Sequence, residues 1–454
     1  MNIAIIGTGY IGIVGAAVFA DWGNKVTGID IDEKKIKQIK SGEMPIYEPG
    51  LSELILENLE NGNLEFTTSL ADGIKDAEII FICVGTPQDD DGAADLRAVW
   101  GVAKEIGEHL DGYKVVVTKS TVPVRTNERV KAIIKENLKE KTEFDVISNP
   151  EFLREGSSIE DMQNTDRTVI GYESERALII MRELYAHLDS PMVECDLRSA
   201  EMIKYASNAF LATKISFINE IGQLCERAGA DVQTVAKGMG LDKRIGEKFL
   251  YAGIGYGGSC FPKDVAALYK TSTDQAYDFK LLRGVMEVND LQISNFVKKI
   301  EKYFGKNLSD KTIACLGLSF KDNTDDIRES VSIKAVQMIR GLGAKVRVFD
   351  PEATENAKKD LGDNNITYCK DKYEAMEDAD ALCLLTEWKE FRDLDLEKVE
   401  DLLKAPVIFD GRNLLDKKEV EDAGFTYFAI GKVTRGLEEQ EERPTYAILQ
   451  NGKK

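Results

Sequence analysis

Of the seven cysteines in this sequence, Cys260 lies in a segment suited to chemistry rather than to packing. The segment reads GIGYGGSCFPKD over residues 253–264, and its many glycines make it a poor core filler. Small neighbours leave room for a substrate carbon to approach the sulfur, and Lys263 is placed to help stabilise a thiolate. We therefore interpret Cys260 as a candidate nucleophile. The alternative is a tight turn without chemistry.

A lysine and an amide, Lys204 and Asn208, lie four residues apart in a long helical pattern and therefore share one helix face. The pattern is otherwise largely apolar, so burying these two groups is costly unless something charged meets them. A developing oxyanion would meet them, since preorganised donors at such a site contribute roughly 3–4 kcal/mol each. The alternatives are a solvated helix edge or a salt bridge from Lys204 to Glu201.

Two carboxylates follow a predicted strand over residues 144–148. They are Glu151 and Glu155, in the segment NPEFLREG at 149–156. Ligands bind at the carboxyl ends of strands in open parallel sheets, so these side chains are candidates for a base and for a ligand contact. Chemistry alone leaves them equally able to be surface carboxylates.

A glycine-rich turn near the N-terminus predicts a dinucleotide site. Residues 3–6 form a short apolar strand, GTGYIG follows at 7–12, a small-residue helix comes next, and Asp30 ends the following strand. In such a unit the glycines permit the tight turn, admit the pyrophosphate and let the helix pack closely. Asp30 would accept hydrogen bonds from ribose hydroxyls and repel a 2′-phosphate, which selects NAD over NADP. The nearby Lys34 and Lys35 weaken this preference for NAD over NADP. The alternative for the whole unit is a glycine-rich turn that binds no ligand.

The composition is that of a globular protein of several domains. The chain has 454 residues, which predicts about three domains. Its formal net charge of −20 argues against binding to nucleic acid or to an anionic membrane. The two histidines, His109 and His187, nearly exclude histidine catalysis and a histidine-ligated metal site, and we predict no metal.

The cysteines and the N-terminal segment indicate the cellular compartment of the protein. The cysteines are odd in number, widely spaced and without a CxxC pair, which predicts free thiols in a reducing cytoplasm. Residues 2–20 carry no charge and resemble a signal sequence, but they lack a basic start and are rich in glycine. The sequence therefore predicts a soluble cytoplasmic protein that does not bind membranes.

The order of predicted elements indicates an α/β fold with two doubly wound Rossmann-like domains joined by a central helical region. Predicted strands at 78–84, 114–119 and 144–148 alternate with helical patterns, which is typical of a parallel sheet. Residues 199–228 read as one long helix, apolar on most of its circumference. Such a helix suits a spine between domains or a subunit interface.

Past residue 305 the first domain recurs. The strand at 343–350, which ends in an acid, echoes 23–30, and the apolar run at 378–385 echoes 76–83 in the same order. The second copy lacks the glycine triplet, which predicts a different ligand there or none. The predicted domains are an N-terminal one at 1–198, a central helical one at 199–302 and a C-terminal one at 303–454.

Eight short motifs, in order along nearly the whole chain, resemble the UDP-glucose 6-dehydrogenase family within the wider UDP-glucose/GDP-mannose dehydrogenase group. Together they are far more specific than any one of them. The charged segment after about residue 435 adds nothing to the resemblance. The motifs are GTGYIG (7–12), VGTP (84–87), KSTVP (119–123), NPEFLREG (149–156), EMIKYASNAF (201–210), GGSCFPKD (257–264), FKDNTDDIRES (320–330) and FDGRN (409–413).

The resemblance implies a four-electron oxidation of a sugar C6 alcohol to a carboxylate, with two NAD per turnover. By position, Cys260 matches the nucleophile that holds the aldehyde as a thiohemiacetal and then as a thioester. Glu151 matches the base for thioester hydrolysis. Lys204 and Asn208 match the pair that steadies the oxyanion.

The resemblance also assigns an ordered water and two binding sites. Asp264 and Thr121 match the partners of the water. The NAD-binding matches are Gly7, Gly9, Tyr10, Ile11, Gly12, Asp30, Lys35, Thr86, Thr121, Glu155, Lys263 and Arg328. The nucleotide-sugar matches are Glu151, Phe152, Leu153, Arg154, Glu155, Lys204, Asn208, Arg244, Phe249, Leu250, Tyr251, Ala252, Gly253, Gly257, Lys321 and Arg412.

On this resemblance the three predicted domains bind NAD, form a dimer and bind the UDP-sugar, in chain order. Arg244 matches a residue that reaches the neighbouring subunit's site, which implies at least a homodimer through the central helix. The segment before Cys260 is most like the UDP-glucose branch. The alternatives are the same chemistry on GDP-mannose or a UDP-N-acetylhexosamine, a single-step alcohol dehydrogenase, and a non-catalytic NAD- and nucleotide-sugar-binding regulator.

Overall fold

A computed structural model describes residues 1–434 of the chain. Its N-terminal part is an eight-stranded sheet with helices on both faces. The strands are β1 (Asn2–Ile6), β2 (Lys25–Ile29), β3 (Leu64–Thr67), β4 (Ile79–Ile82), β5 (Lys114–Thr118), β6 (Phe144–Ser148), β7 (Thr168–Gly171) and β8 (Met192–Cys195). The helices are α1 (Tyr10–Asp21), α2 (Glu33–Lys40), α3 (Leu51–Glu60), α4 (Leu70–Ile74), α5 (Arg97–His109), α6 (Thr126–Glu136), α7 (Ser158–Gln163) and α8 (Glu175–Leu184).

The first sheet is doubly wound. Its strand order is β3-β2-β1-β4-β5-β6-β7-β8, so the chain moves outward from β1 in both directions. The pairs from β3 to β6 are parallel, and β7 also pairs with β8 in parallel. Only the β6–β7 pair is antiparallel, through Ser148 and Gly171. The α/β fold class is confirmed, and this antiparallel pair is a detail that the strand pattern did not indicate.

Four helices form the middle of the chain. They are α9 (Leu197–Ala228), α10 (Val232–Gly240), α11 (Phe261–Asp274) and α12 (Lys280–Phe304). The long helix predicted at 199–228 is α9. It begins where the Asp196 side chain accepts a hydrogen bond from the Ser199 backbone N–H, and it ends at Gly229 in a left-handed conformation.

The C-terminal part is a second doubly wound sheet of six parallel strands, ordered β11-β10-β9-β12-β13-β14. This order repeats that of β3-β2-β1-β4-β5-β6, which confirms the recurrence predicted from the sequence. The strands are β9 (Thr312–Leu316), β10 (Lys345–Phe349), β11 (Ile366–Tyr368), β12 (Ala381–Leu384), β13 (Val407–Asp410) and β14 (Thr426–Ala429). The helices are α13 (Val331–Gly341), α14 (Thr354–Leu361), α15 (Lys372–Met376), α16 (Lys389–Arg392), α17 (Leu396–Leu402) and α18 (Lys417–Asp422).

The predicted domain boundaries after residues 198 and 302 fall near the start of α9 and the end of α12. They stay predictions, and residues 435–454 of the third predicted domain lie outside the described residues. Within residues 1–434, no helix combines the length and the apolar run that a bilayer crossing requires.

Helices cover both faces of each sheet, which explains why central strands such as β4 and β12 read as continuous apolar runs. The second sheet differs from the first in its acid at the end of β10. Asp350 is only 2% exposed and accepts hydrogen bonds from the backbone N–H groups of Leu318 and Ser319 and from the Trp388 indole. Its oxygens are thus occupied by the protein itself.

The glycine turn of the first sheet generates a stability prediction. A Cβ added at Gly12 would lie 1.8 Å from the carbonyl oxygen of Gly7, whereas at Gly15 the nearest heavy atom is a side-chain carbon of Ile5 at 3.8 Å. Gly12→Ala is therefore expected to lower the free energy of unfolding by about 2–3 kcal/mol. Gly15→Ala is the matched control and should leave stability unchanged or raise it by up to about 1 kcal/mol, because alanine favours helix. Urea denaturation measures both, and equal effects would contradict the close approach seen at Gly12.

Candidate active site

A buried ion pair connects α9 to the loop after β6. Lys204 Nζ lies 3.0 Å from Glu151 Oε1, and the two side chains are only 4% and 3% exposed. Glu151 Oε2 also accepts a hydrogen bond from the backbone N–H of Leu153. Burial acts to lower the pKa of Lys204, but Glu151, Cys260 and Asp264 outweigh it and raise that pKa above its usual value. The ammonium therefore stays charged in a site closed to solvent.

The salt bridge between Lys204 and Glu201 considered from the sequence does not form. Glu201 lies on the same helix but accepts hydrogen bonds from the backbone N–H groups of Arg125 and Asn127 at the start of α6. It also accepts one from the Asn127 side chain. Glu201 thus holds α9 against the first sheet and leaves Lys204 to Glu151.

Asp264, in the first turn of α11, is the second buried carboxylate of the site. One of its oxygens accepts a hydrogen bond from Asn208 Nδ2 at 2.6 Å, and the other lies 2.6 Å from Lys263 Nζ. Asp264 is 1% exposed. The helix face that carries Lys204 and Asn208 is therefore buried against two carboxylates. It is not the solvated helix edge considered from the sequence.

Cys260 directly precedes α11 and lies near Lys204, Glu151 and Asp264. Burial raises the pKa of its thiol, and the nearby Lys204 ammonium acts in the opposite direction. Its Sγ lies 3.6 Å from Ser259 Oγ. The thiol is thus protonated at neutral pH and lies among hydrogen-bonding groups and cations.

The glycines before Cys260 are required by close packing rather than by open space. A Cβ at Gly257 would lie 2.2 Å from the carbonyl oxygen of Glu329. Gly258 has φ +85°, and a Cβ there would lie 2.6 Å from the Phe320 ring. These two glycines allow the C-terminal segment 320–330 to approach the loop. The room expected beside the sulfur stays a prediction, because these contacts lie at the glycines and not at Sγ.

Glu155 lies where three parts of the chain meet. Its Oε1 accepts a hydrogen bond from Ser259 Oγ at 2.8 Å and one from Arg328 Nη2 at 3.5 Å. Its Oε2 accepts one from Thr324 Oγ1 at 3.5 Å. Burial, followed by the negative charge of Asp326, raises the pKa of Glu155 to about 7. This carboxyl group therefore titrates at neutral pH.

The glycine turn fits a dinucleotide. Gly7 has φ +95°, and a Cβ at Gly9 would meet no atom within 4 Å, so the turn is open where a pyrophosphate would approach. Asp30 Oδ2 accepts hydrogen bonds from the Thr8 backbone N–H at 2.9 Å and from Lys35 Nζ at 2.7 Å. Burial acts to raise the pKa of Asp30, but the hydrogen bonds from Lys35 and Thr8 outweigh it and hold that pKa below its usual value.

Other predicted cofactor residues lie along the same sheet edge. Thr86, after β4, donates a hydrogen bond from Oγ1 to the carbonyl oxygen of Thr121, after β5, at 2.9 Å. Tyr10 opens α1, and its hydroxyl accepts a hydrogen bond from the Gly156 backbone N–H at 2.8 Å. The cofactor turn and the NPEFLREG loop are therefore joined directly.

The predicted nucleotide-sugar residues are only partly brought together. Arg412 donates to the carbonyl oxygens of Gly255 and Phe320, at 3.1 and 3.3 Å, and so ties the loop of residues 249–257 to the second sheet. In that loop Leu250 and Ala252 are buried, whereas Tyr251 is 70% exposed.

Three predicted sugar-binding residues have partners outside the buried network, by which we mean Lys204, Glu151, Asn208 and Asp264. Arg154 pairs with Asp161, and Lys321 Nζ lies 6.0 Å from the centroid of the preceding Phe320 ring. The Arg244 side chain is 89% exposed and pairs with Asp242 two residues away. Phe152 is closer to the buried network, with its ring centroid 5.3 Å from Lys204 Nζ.

Sequence reasoning missed two residues of this region. Glu48 is buried and accepts hydrogen bonds from the backbone N–H groups of Gly156 and Ser158, at 2.6 and 2.7 Å, so it fixes the loop that carries Glu151 and Glu155. It lies in an irregular segment without periodicity, and no local signal marks it. Ser259 directly precedes the candidate nucleophile, and this adjacency is the sequence signal that could have indicated it.

The sequence matches one protein family along most of its length. Residues 1–189 match the NAD binding domain of the UDP-glucose/GDP-mannose dehydrogenase family, residues 198–291 its central domain and residues 314–417 its UDP binding domain. The chain belongs to this family. NAD is therefore its cofactor, and the resemblance seen in the motifs is confirmed.

Relatives within the family are similar over nearly the full chain. UDP-glucose 6-dehydrogenase TuaD of Bacillus subtilis is 50% identical over 438 residues, which cover 96% of this chain and 95% of that protein. UDP-glucose 6-dehydrogenase of Rhizobium meliloti is 47% identical over 438 residues, covering 95% and 100%. The solved structure of a UDP-glucose dehydrogenase from Pyrobaculum islandicum is 37% identical, with a TM-score of 0.89 over 95% of this chain and 98% of that one.

A solved dehydrogenase named for another sugar is less similar. The solved UDP-D-ManNAc dehydrogenase of Pyrococcus horikoshii is 28% identical, with a TM-score of 0.83 over 95% of this chain and 99% of that one. This chain therefore shares its fold with both solved structures.

The Asp30–Lys35 pair generates a prediction for cofactor choice. Asp30→Ala should lower kcat/KM for NAD by about tenfold, because the ribose loses a charged acceptor. It should also raise the relative use of NADP, because Lys35 becomes free to meet a 2′-phosphate. The double variant Asp30→Ala/Lys35→Met should lose that gain. Steady-state kinetics with both cofactors test this, and equal use of NAD and NADP by the unmodified protein would contradict the role of Asp30.

Proposed function

We propose that this protein is an NAD-dependent UDP-glucose 6-dehydrogenase, which oxidises UDP-glucose at C6 to UDP-glucuronate. The observation that carries the proposal is the convergence of two buried polar pairs, Lys204–Glu151 and Asn208–Asp264, beside the Cys260 thiol. A sensor of NAD or nucleotide sugars would have no need for a thiol among such groups. The identities of 47–50% to enzymes named UDP-glucose 6-dehydrogenase, against 28% to the UDP-D-ManNAc dehydrogenase, favour UDP-glucose over the other sugars.

NAD would be held by the turn at Gly7, Gly9 and Gly12, by Asp30 and by the residues after β4 and β5. When bound, it accepts a hydride from the sugar C6 in each of two oxidation steps. The chain's own part in the first step is to remove the hydroxyl proton. Asp264 and Thr121, acting on an ordered water, are the groups we assign to it, and Lys204 stabilises the negative charge that develops on oxygen.

Cys260 makes the second oxidation possible. Its sulfur adds to the C6 aldehyde to give a thiohemiacetal, whose oxidation leaves a thioester on the protein. Glu151 then removes a proton from the water that attacks the thioester, which releases the carboxylate and restores the thiol. In balance, one alcohol, two NAD⁺ and one water give one carboxylate, two NADH and three protons.

We propose that the diphosphate and sugar lie along residues 249–257, with Lys321 and Arg412 as the local cations. Both residues lie within the segment, 314–417, that matches the UDP binding domain of the family. A chain with a net charge of −20 must meet an anionic substrate with such placed cations.

We also propose that the protein is a homodimer through α9. Three large apolar side chains, Phe210, Phe217 and Leu224, recur every seven residues along α9 and are 64%, 48% and 60% exposed. A stripe of this kind is unfavourable in water and suits a second copy of the same helix. Arg244, whose side chain is also exposed, would then exchange its surface pair with Asp242 for a contact in the partner's site.

A cytoplasmic location is supported by the seven cysteines, all of which are free thiols.

The thioester mechanism predicts the yield of NADH. Complete oxidation of a measured amount of UDP-glucose should release two NADH per sugar, because Cys260 retains the aldehyde for the second step. Absorbance at the NADH band and chromatography of the sugar products measure the ratio. A ratio of one with free aldehyde would show a single-step alcohol dehydrogenase, and faster turnover of GDP-mannose or a UDP-N-acetylhexosamine would assign another branch.

Cys260→Ser and Cys225→Ser form the matched pair for this experiment. Cys225 is buried on α9 within the apolar core, so its replacement should leave turnover nearly intact. Cys260→Ser can form only an oxygen ester, which hydrolyses less readily, so turnover should collapse and mass spectrometry should show sugar bound to the protein. Near-normal turnover in Cys260→Ser would remove the nucleophile assignment.

The apolar stripe predicts the effect of a charge on assembly. Phe217→Asp should convert the dimer to monomer, because a carboxylate would be buried against the apolar face of the partner. Ile179→Asp is the matched control, since Ile179 is 55% exposed on α8 and lies outside the stripe. Light scattering coupled to size-exclusion chromatography reports the mass of each variant. A monomeric unmodified protein, or a dimeric Phe217→Asp, would contradict the proposal.

A further inference from the structure

The Cys260 thiol needs a proton acceptor when its sulfur attacks carbon, because burial keeps it protonated at neutral pH. Two buried carboxylates whose charges act on the thiol, Glu151 and Asp264, already have other proton-transfer roles in the reaction proposed above. Glu151 is paired with Lys204, and Asp264 is bound by Asn208 and Lys263. A third carboxylate reaches the sulfur through one intervening hydroxyl group.

That hydroxyl group belongs to Ser259. Its Oγ donates a hydrogen bond to Glu155 Oε1 at 2.8 Å and lies 3.6 Å from Cys260 Sγ, within the range of a sulfur hydrogen bond. A serine hydroxyl carries one proton to donate and two lone pairs to accept with. Because the proton of Ser259 is directed at Glu155, its lone pairs remain to accept the proton of the thiol.

We propose that Ser259 and Glu155 form a proton relay that takes the thiol proton of Cys260 when the sulfur attacks. In the reaction under Proposed function, on which this inference rests, the sulfur–C6 bond forms as the S–H bond breaks. The thiol proton passes to Ser259 Oγ, whose own proton passes to Glu155. The carbonyl oxygen becomes an alkoxide beside the Lys204 ammonium, and no electrons are gained or lost overall. Ser259 is then a catalytic residue, and Glu155 is a positioning residue that acts through it.

The surroundings of Glu155 suit it to this role. Burial and the charge of Asp326 raise its pKa to about 7, whereas Arg328 and the Ser259 hydroxyl act to lower it. A base is most effective when its pKa lies near the working pH. Asp326 and Arg328 both come from the segment after β9, and Ser259 from the loop before α11, so the relay is assembled only when these segments pack together.

The relay can be distinguished from a simple charge effect by the direction in which ionisation of Glu155 changes the reaction rate of the Cys260 thiol. An ionised Glu155 near Cys260 that made no relay would disfavour the thiolate and slow the reactions of the sulfur. As a base acting through Ser259, the same ionised Glu155 would speed them. The pH dependence of thiol reactivity therefore separates the two roles.

The experiment is alkylation of Cys260 in the full chain by iodoacetamide, without sugar or NAD, at pH 5.5–10. Peptide mass spectrometry reports the modification of Cys260 alone. In the unmodified protein the rate should rise by roughly tenfold or more around pH 7, as Glu155 ionises, and again where the thiol itself ionises. Glu155→Gln and Ser259→Ala should each lose the first rise, and Ser259→Thr, which keeps the hydroxyl, should retain it.

Thr324→Val is the matched control. The Thr324 hydroxyl also donates to Glu155, at 3.5 Å, but to Oε2, the oxygen that does not accept from Ser259. Its variant should therefore keep the rise near pH 7. Glu155→Gln and Ser259→Ala interrupt the relay at different points. If only one of the two variants folds, that variant is enough to test the relay. A single rise at the thiol pKa in the unmodified protein, or a rise near pH 7 that persists in both variants, would overturn the relay.

The failure of the relay and that of the proposed function are distinguishable. The alkylation profile requires no turnover, so a protein that does not oxidise UDP-glucose but shows the rise near pH 7 retains the relay. A protein that releases two NADH per UDP-glucose without that rise keeps the proposed function and loses the relay.

Discussion

The buried ion pair between Lys204 and Glu151 is the constraint on which the rest of the site depends. Removing one partner of such a pair leaves an uncompensated charge in the interior, at a cost of about 3–5 kcal/mol. The pair can be kept only if α9 and the loop after β6 hold one relative position. Glu201 fixes that position from one side by binding the start of α6, and Glu48 fixes the loop from the other. Cys260 is in turn held near Lys204 because α11, which it directly precedes, is bound to α9 through the hydrogen bond from Asn208 to Asp264.

Much of the fold was predictable because its signals are local. Apolar runs such as those of β4 and β12 and the glycine turn at 7–12 are short patterns set by neighbouring residues. The caps of α9 at Asp196 and Gly229 are equally local. The recurrence of the first domain was predictable for the same reason, since it repeats such patterns in order. The antiparallel β6–β7 pair was not, because relative strand direction depends on how the intervening segment crosses the sheet.

The candidate site was predictable in its members but not in its connections. Residue type and the family resemblance together pointed to Cys260, Lys204 and Glu151. Their partners are contacts between segments far apart in sequence, which leave no periodic trace. Ser259 meets Glu155 across 104 positions, and Thr324 meets it across 169. The glycines at 257 and 258 show the same limit, because their close neighbours belong to the C-terminal part.

The buried carboxylate of Asp350 limits how a second cofactor site can be engineered into this architecture. Gly317 and Gly7 make the same backbone hydrogen bond to the neighbouring strand, each at 2.8 Å, so the two turns start alike. Restoring the missing glycines after β9 would therefore reproduce the shape of the first turn. It would not reproduce its recognition, since the acid that a ribose would need is buried and already accepts a hydrogen bond from the Trp388 indole. A redesigned second dinucleotide pocket has to begin with the indole of Trp388, and only then with the glycines.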